Sequence, residues 1–391
     1  MAVNKLDITM MEDVGTSASQ LLQRDGSGNI PAIDGSLLTG VDPGFTVSTS
    51  DPVVTTNPSG GVGSVWFNKT SGEAYICTDA TAGANVWTNV GVGTGDIVPY
   101  TFQGLAYGYT AGSNSSSANL INKYSYISDG NGTDVGDLSV RRGWTAGQRS
   151  ITHGYVAGGE TGGGTPYLDI IDKLPFATDG TATDVGNLAT GTEHNVGCSS
   201  STHGYSSMGN KPAPSFVDIE KFSFSSDGNA VDVGDYYGTY RWHGAAASSA
   251  TYGYVAGGVN GSTYHDQINK WAFATDGTAT DVGNLTGGIG YTTGQSSTTY
   301  GYRSGGSTPT SNVIDRWSFS SDGNATDVGD LTVARTQIGG SSSTTYGYCA
   351  GGNTSGDTID KWAFASATVN ASDVGNLSAT MAYPATPSYQ N

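Results

Sequence analysis

Residues 268–285 read INKWAFATDGTATDVGNL, and residues 314–331 read IDRWSFSSDGNATDVGDL. In each stretch a short segment of alternating aromatic and smaller residues precedes an Asp-Gly pair and the letters TDVG. Alternation with a period of two predicts a strand, and Asp-Gly supplies the positive φ angles of a tight hairpin turn. The stretch therefore predicts a β-hairpin, and its recurrence predicts a repeat protein.

The repeat has six copies with a period near 50 residues. Each copy carries a GY pair, and successive GY glycines are 46 to 50 residues apart, at Gly108, Gly154, Gly204, Gly253, Gly301 and Gly347. One copy divides into four strand-like segments, at 339–345, 346–352, 359–365 and 373–377. Four strands per repeat of this length are typical of a β-propeller blade. The sequence therefore predicts an all-β chain with a six-bladed propeller over 98–391.

The ends of the second strands resemble those of the kelch family of propellers. The kelch-like Gly-Gly pair occurs in VAGG (156–159 and 255–258), RSGG (303–306) and CAGG (349–352), whereas TAGS (110–113) and SSMG (206–209) depart from it. The resemblance covers about 98–391 and implies architecture more than function, because propellers carry many functions. A closing strand for the first blade is expected from 378–391, with 98–106 as the competing segment.

Composition excludes several function classes. The chain of 391 residues has 60 glycines, 13 % charged residues and a net charge of −18. A nucleic-acid surface needs clustered Lys and Arg, and no such cluster occurs, so neither nucleic acid nor an anionic membrane is an expected partner. Cys77, Cys198 and Cys349 are too far apart for a metal cluster. The N-terminus lacks the apolar segment of a signal peptide, which predicts synthesis in a cytoplasm.

Length variation is concentrated in one type of connection. The segment between the second and third strands changes length from copy to copy, whereas the Asp-Gly turn is nearly constant. In an up-and-down blade these two connections lie on opposite faces, so one face is variable and the other uniform. Variable loops on a rigid scaffold often bind partners. Neutral drift of exposed loops is the alternative.

One position of the variable face carries planar side chains. Nine residues after each DVG valine lie Trp144, His194, Trp242, Tyr291, Gln337 and Tyr383. Arg141, Arg241 and His243 lie beside them and complete the candidate receptor-binding set. Aromatic faces next to amides and imidazoles suit sugars, which present C–H patches and hydroxyl groups. The alternative is that these side chains close the mouth of the central channel.

The first hundred residues differ from the repeats. LLQRDGSGNIPAIDGSLLTGV (21–41) resembles a recurring element of bacteriophage tail fibres, and WFNKTSGEAY (66–75) with Trp87 is similar to small β modules of such proteins. The resemblance implies a trimeric stem. We expect an attachment and oligomerisation segment at 1–44, a β module at 45–97 and a linker with room for one strand at 42–62. Trp66 and Trp87 form either the core of the module or a sugar platform.

An enzyme is not expected. Glycan hydrolysis needs two carboxylates in different environments, and the five glutamates, at 12, 73, 160, 193 and 220, are scattered through the chain. No hydrolase, metalloprotease or phosphate-binding motif occurs, and no metal or cofactor is expected. Each DGTATD turn offers only two carboxylates, fewer ligands than calcium needs.

The resemblance and the variable face together predict a phage virion protein, located in the tail. It would bind a host-surface glycan or protein through the variable face and other tail proteins through its N-terminus. The alternative is a purely structural tail or capsid decoration protein whose propeller contacts other virion proteins.

Overall fold

The computed structural model describes residues 45–90, 106–114, 119–162, 167–211, 217–236, 238, 241–366 and 368–387. Within these residues every regular element is a β-strand, and most neighbouring strands are antiparallel. The chain divides into two compact units, one up to Tyr100 and one from Thr101. The predicted boundary between 97 and 98 lies outside the described residues, as do the attachment segment 1–44 and its phage-fibre element.

The first unit contains one four-stranded sheet. Its strands are β1 (Phe45–Ser48), β2 (Val65–Asn68), β3 (Ala74–Asp79) and β4 (Val86–Asn89), in that order across the sheet. β1 is parallel to β2, and the other neighbours are antiparallel. β1 lies within the predicted linker 42–62, so that segment contributes an edge strand to the sheet.

The two faces of this sheet differ. Tyr75, Cys77 and Trp87 are buried on one face, where the Trp66 ring meets the Trp87 ring at 5.8 Å. Residues on the opposite face alternate with these along each strand. There Phe45 and Phe67 remain 43 % and 40 % exposed, with ring centroids 5.4 Å apart. The two tryptophans therefore belong to the packed face.

The described residues of the second unit form six sheets of three or four strands, named I to VI in chain order, and one separate two-stranded hairpin. Sheet I consists of β5 (Tyr107–Ala111), β6 (Leu120–Ser125) and β7 (Thr133–Asp137). Sheet II consists of β8 (Ala146–Arg149), β9 (His153–Ala157), β10 (Ile170–Pro175) and β11 (Thr183–Asn187), and sheet III of β12 (Val196–Ser199), β13 (His203–Ser207), β14 (Asp218–Ser223) and β15 (Val231–Asp235). Sheet IV consists of β16 (Ala245–Ser248), β17 (Tyr252–Ala256), β20 (Gln267–Ala272) and β21 (Thr280–Asn284), with a small hairpin of β18 (Val259–Asn260) and β19 (Thr263–Tyr264) inserted. Sheet V consists of β22 (Thr293–Ser296), β23 (Tyr300–Ser304), β24 (Val313–Ser318) and β25 (Thr326–Asp330), and sheet VI of β26 (Gly339–Ser342), β27 (Tyr346–Ala350), β28 (Thr358–Ala363) and β29 (Ser372–Asn376).

One isolated bridge joins the C-terminal residues to sheet I. The backbone N–H of Ala385 donates to the carbonyl of Ala111 in β5, and the N–H of Ala111 donates back, both at 2.9 Å. This bridge is the backbone pairing observed between the described part of 378–391 and sheet I, and a full closing strand for the first blade stays a prediction. Most of the competing segment, 98–106, lies outside the described residues.

The GY pair of each second strand packs against aromatic residues at the third strands of its own sheet and of the next sheet. A Cβ atom on Gly253 would lie 2.3 Å from the ring of Trp271, so glycine leaves the space that this indole fills. The following tyrosine stacks on a ring of the next sheet at 4.6 to 5.0 Å: Tyr109 on Phe176, Tyr155 on Phe224, Tyr205 on Phe273, Tyr254 on Phe319, Tyr302 on Phe364 and Tyr348 on Tyr126. The last stack joins sheet VI to sheet I.

The lysine of the third strand binds the aspartate of the next Asp-Gly turn. The pairs are Lys123–Asp179, Lys173–Asp227, Lys221–Asp276, Lys270–Asp322 and Lys361–Asp129. Sheet VI has Ser-Ala-Thr instead of Asp-Gly, and Arg316 lies over the Tyr300 ring at 4.6 Å. Exposed pairs of this kind contribute about 0–1 kcal/mol each to stability. Their main effect is to fix the position of one sheet relative to the next. The Asp-Gly turns therefore help to align neighbouring sheets.

A second contact between sheets lies in the interior. Asp172 and Asp360, both fully buried in third strands, accept hydrogen bonds from Ser139 and Thr332 of the preceding connections. Arg142 donates to Asp172 at 2.9 Å, and Arg335 lies 3.0 Å from Asp360. Buried charges need such partners. The position thus links the interior of one sheet to its neighbour.

Candidate functional site

Connections at the two ends of the sheets differ in length. Strands adjacent in the chain are antiparallel neighbours within sheets II to VI, so the second-to-third connections share an end with the sheet-to-sheet connections. The second-to-third connections vary from 351–357 to 158–169. At the other end, the first-to-second turns are uniform: 150–152, 200–202, 249–251, 297–299 and 343–345. The former end is the variable end.

Six residues at the variable end share one backbone conformation. Trp144, His194, His243, Tyr291, Gln337 and Tyr383 have φ angles of 56° to 62°. We call these residues the left-handed set. A side chain in this conformation costs about 1–2 kcal/mol relative to the right-handed region, and glycine would avoid that cost. A chain with 60 glycines nevertheless places a large planar side chain at all six positions.

Backbone hydrogen bonds connect the left-handed set. The N–H of His194 donates to the carbonyl of Trp144 at 2.8 Å, and that of His243 donates to His194 at 3.3 Å. The N–H of Gln337 donates to Tyr291 at 3.0 Å, and that of Tyr383 donates to Gln337 at 2.8 Å. Each residue is thereby positioned by its counterpart in a neighbouring sheet.

The rings of the set converge. Ring centroids of Trp144 and His194 are 5.1 Å apart, those of His194 and His243 3.9 Å, and those of His243 and Tyr291 4.1 Å. Tyr383 lies within 5.2 to 6.4 Å of the other four rings. All six residues line one cavity of about 90 Å³ that is open to solvent. Small residues such as Gly147, Gly197 and Gly294 line it as well.

Burial controls the charge of the set. His243 is 8 % exposed, and burial, with a contribution from His194, holds its pKa well below 6.5. Burial also raises the pKa of Tyr383 and Tyr291, so both phenols stay protonated. At neutral pH, His243 and both phenols are therefore uncharged.

A carboxylate lies beside the set. Glu193 is buried, its Oε1 is 3.5 Å from Nδ1 of His194, and it accepts a hydrogen bond from Asn210 at 2.8 Å. Burial opposes its ionisation, but the hydrogen bond from His194, that residue's charge, and Asn210 outweigh it, so the pKa of Glu193 is lowered. Glu193 is therefore an anion at neutral pH.

Three of the predicted candidates, Trp242, Arg241 and Arg141, do not line the cavity. Trp242 is not part of the left-handed set: its backbone pairs with Val259, and its neighbour His243 occupies the position. Arg241 is 1 % exposed and donates to the carbonyl of Gly257 and to Gln267. Its guanidinium therefore binds within sheet IV. Arg141 is exposed but does not line the cavity. The remaining candidates, including His243, line it together.

A different count identifies the set from the sequence. The connection that follows Val233 is one residue longer than the others, which moves the ninth residue to Trp242. Counting back ten residues from the next GY glycine gives Trp144, His194, His243, Tyr291 and Gln337 without exception. The fixed distance runs to the strand that follows, because that strand holds the residue in place.

The aspartates of the DGTATD turns take part in hairpins. Asp179 binds Lys123, and Asp184 accepts the N–H of Gly186 at 3.2 Å. Among the described residues there is no group of three or more His, Cys, Asp or Glu side chains placed to hold a metal ion.

No helix among the described residues is long and apolar enough to cross a membrane. No family model matches the chain, and no curated protein matches it either.

Proposed function

We propose that the second unit is a six-bladed β-propeller with sheets I to VI as its blades. The tyrosine stacks run from each sheet to the next, lysine–aspartate pairs accompany five of the six stacks, and Tyr348–Tyr126 and Lys361–Asp129 return from VI to I. An open row of sheets would leave the contact surfaces of its first and last members uncovered. A closed ring accounts for both contacts, and full closure is one way in which β architectures avoid free edges.

In this proposal the left-handed set lies at the mouth of the central channel, and the protein is a phage tail-fibre component that binds a host-surface glycan through it. One observation carries the proposal: six equivalent, conformationally costly positions all present planar side chains to one solvent-open cavity at the variable end. Such strain is retained where a function requires it. A structural plug would be satisfied by any bulky residue, whereas Gln337 and two imidazoles add hydrogen-bonding groups to the rings.

We further propose that the N-terminal hundred residues attach the protein to the tail and join three copies. The exposed face with Phe45, Val47 and Phe67 carries no charge, although the chain has a net charge of −18. Acidic copies repel one another over most of their surface, and an uncharged apolar face is where they can approach. The phage-fibre resemblance of 21–41 supports the same arrangement. Several propellers on one stem would gain affinity by avidity.

A glycan array probed with the full chain tests receptor binding. We expect binding to a subset of bacterial surface glycans, and a loss of at least tenfold in the double variant Trp144→Ala, Tyr383→Ala. Ile127→Ala is the matched control, because Ile127 is 77 % exposed next to a uniform Asp-Gly turn. Unchanged binding by the double variant would refute the role of the set. Absence of binding, with the variable end covered on an intact particle, would favour a structural decoration.

A further inference from the structure

Two aromatic residues at the variable end of sheet IV lie outside the cavity. Trp242 precedes His243 in the connection from sheet III to sheet IV, and Tyr264 lies in β19 of the inserted hairpin. Both residues are half-buried, and neither lines the cavity. The binding site described so far therefore does not account for them.

Both residues contact the segment that carries Tyr291, a member of the left-handed set. The indole N–H of Trp242 donates a hydrogen bond to the phenol oxygen of Tyr291. The Tyr264 ring lies against the backbone of Gly290, where a Cβ atom would be 3.4 Å from it. Tyr291 in turn stacks on His243, with ring centroids 4.1 Å apart. One ring of the set therefore joins the cavity to Trp242 and Tyr264.

The backbone pairing of Trp242 does not require an indole. Trp242 forms an isolated bridge with Val259, and Gly143 and Gly290 form the equivalent bridges in sheets II and V. Glycine therefore suffices for the pairing at this position. The tryptophan adds a large aromatic surface that the repeat itself does not need.

The hairpin that carries Tyr264 is likewise an addition to the repeat. The connection between the second and third strands spans 257–266 in sheet IV and only 351–357 in sheet VI. In the longer connection β18 and β19 pair with each other, and the N–H of His265 donates to the carbonyl of Gly258 at 2.9 Å. The added residues thus hold Tyr264 on paired strands beside Tyr291.

Tryptophan and tyrosine combine an apolar ring with a polar group, a combination that is enriched at binding surfaces. Sugars present C–H patches and hydroxyl groups to such side chains. We propose that Trp242 and Tyr264 form a second subsite, which binds the sugar unit next to the one at the left-handed set. The receptor is then a glycan chain with at least two consecutive sugars. This inference rests on the proposed receptor-binding role of the variable end.

Dependence of binding on glycan length tests the second subsite. The probes are bacterial surface oligosaccharides on an array and the single sugars that they contain, each tested with the full chain. We expect the oligosaccharides to bind at least tenfold more tightly than the single sugars. Trp242→Ala and Tyr264→Ala should each weaken oligosaccharide binding about fivefold or more, the loss typical of one contact residue that matters. Binding of single sugars should not change, because the left-handed set is intact.

Two further variants of the hairpin are the controls. Tyr264→Phe keeps the ring and should keep most of the oligosaccharide binding. Thr263→Ala changes an exposed residue of the same hairpin and should leave binding unchanged. If Trp242→Ala weakens the binding of single sugars and oligosaccharides equally, Trp242 only positions Tyr291, and the second subsite is refuted. Equal binding of both probes by the full chain would also refute it.

Failure of the two proposals gives different results. If oligosaccharide binding depends on Trp144 and Tyr383 but not on Trp242 or Tyr264, the receptor role stands and the second subsite falls. If no glycan binds, or if binding persists in the double variant Trp144→Ala, Tyr383→Ala, the receptor role of the left-handed set falls and the second subsite falls with it.

Discussion

His243 illustrates how a single side chain is constrained by its position. It has a left-handed backbone, is 8 % exposed and contacts the rings of His194, Tyr291 and Tyr383. Protonation would place a charge in this packed space, next to the imidazole of His194. The folded protein therefore keeps His243 neutral in a pH range where the unfolded chain protonates it.

The stability of the second unit should fall in mild acid because of His243. Below pH 6.5, its ordinary pKa, the unfolded chain takes up a proton that the folded chain refuses. The free energy of unfolding then falls by about 1.4 kcal/mol per pH unit until the lowered pKa is reached. In His243→Tyr, which has the same residue as positions 291 and 383, the loss between pH 7 and pH 5 should be smaller, by at most about 2 kcal/mol. Urea denaturation at the two pH values measures it.

The control for this prediction is His153→Tyr. His153 occupies the tyrosine position of the repeat and is more exposed than His243, and burial lowers its pKa too. Its replacement should change the pH dependence less than that of His243. Identical pH dependence of the His243→Tyr variant and the natural chain would contradict the assignment of a neutral, buried imidazole.

At the residue scale the sequence predicts the candidate positions but not their packing. The planar side chains are visible as a repeated pattern: the count from the preceding valine reaches five members of the left-handed set, and His243 is among the residues predicted beside them. Counting from the preceding valine gives Trp242 in place of His243, because the connection after Val233 has one extra residue. The fate of the arginines was not predictable, since Arg141 and Arg142 are adjacent and only the backbone direction decides which is exposed.

At the scale of the sheet, one buried position has several solutions. Sheets II and VI pair Arg142 with Asp172 and Arg335 with Asp360. In sheet III, Lys211 of the second-to-third connection pairs with Glu220 of the third strand. In sheet V, Arg303 of the second strand pairs with Asp315 of the third strand. Sheet I is neutral: Asn122 donates to the sulfur of Met381 at 3.2 Å, and these residues stand where Asp360 and Arg335 stand in sheet VI. Charges thus appear together or not at all in these five sheets, whereas sheet IV has the buried Arg241 in the arginine position and the neutral Asn269 in the aspartate position.

The neutral pair should be transferable from sheet I to sheet VI. Arg335→Met alone leaves the Asp360 carboxylate buried without its cation, and Asp360→Asn alone leaves the guanidinium without its anion. Arg335→Met should cost about 3–5 kcal/mol. Asp360→Asn should cost less, because Arg335 keeps its bonds to backbone carbonyls and sheet IV already has a buried Arg241 with Asn269 in the aspartate position. The double variant copies Met381 and Asn122, and the amide oxygen still accepts the Thr332 N–H as Asn122 accepts that of Ser378. Its cost should be under about 2 kcal/mol, because neither charge remains.

Urea denaturation of the four chains gives the coupling energy of this pair. Additive costs in the double variant would mean that the two side chains act independently and would contradict the pairing. The corresponding double change of Ser341→Ala and Ser343→Ala, on the first strand and turn of sheet VI, controls for general sensitivity of this sheet to two substitutions. It should not show the recovery that distinguishes the charged pair.

The strands were largely predictable because their local signals agree. Asp-Gly turns, GY pairs and alternating aromatics each mark one strand, and the observed strands of sheet VI begin within one residue of the predicted segments. β1 was harder to identify. Four residues, FTVS, carry no turn signal of their own, and parallel pairing with β2 depends on the loop between them.

At the scale of the whole molecule, the same contacts recur at each interface between neighbouring sheets. Each Tyr ring, Lys and DVG glycine of one sheet contacts the next: a Cβ on Gly283 would lie 2.2 Å from the carbonyl oxygen of Gly323. Sequence comparison shows that these residues recur, but it does not show that they act across the boundary. Their function is intersheet contact, which is why they vary less than the connections at the variable end.

The C-terminal residues should therefore determine the stability of the entire second unit. A chain ending at Leu377 loses the Ala385–Ala111 hydrogen bonds and the bond from Tyr383 to Gln337, at about 1 kcal/mol each. It also loses the buried Met381 side chain, about 2 kcal/mol. The three hydrogen bonds and the Met381 side chain together amount to about 5 kcal/mol. A loss of this size should lower the melting temperature by about 10 °C for a unit of this size. Differential scanning calorimetry measures the shift.

A chain ending at Pro387 is the control for this truncation, because it keeps every described contact of the C-terminus. It should melt within about 1 °C of the full chain, since no described interaction is removed. In an open row of sheets, removal of residues from 378 onward would disturb sheet I alone and produce a second, separate transition. In a closed ring the loss of one strand weakens all six sheets together, so a single transition at lower temperature is expected, and a split transition would refute closure.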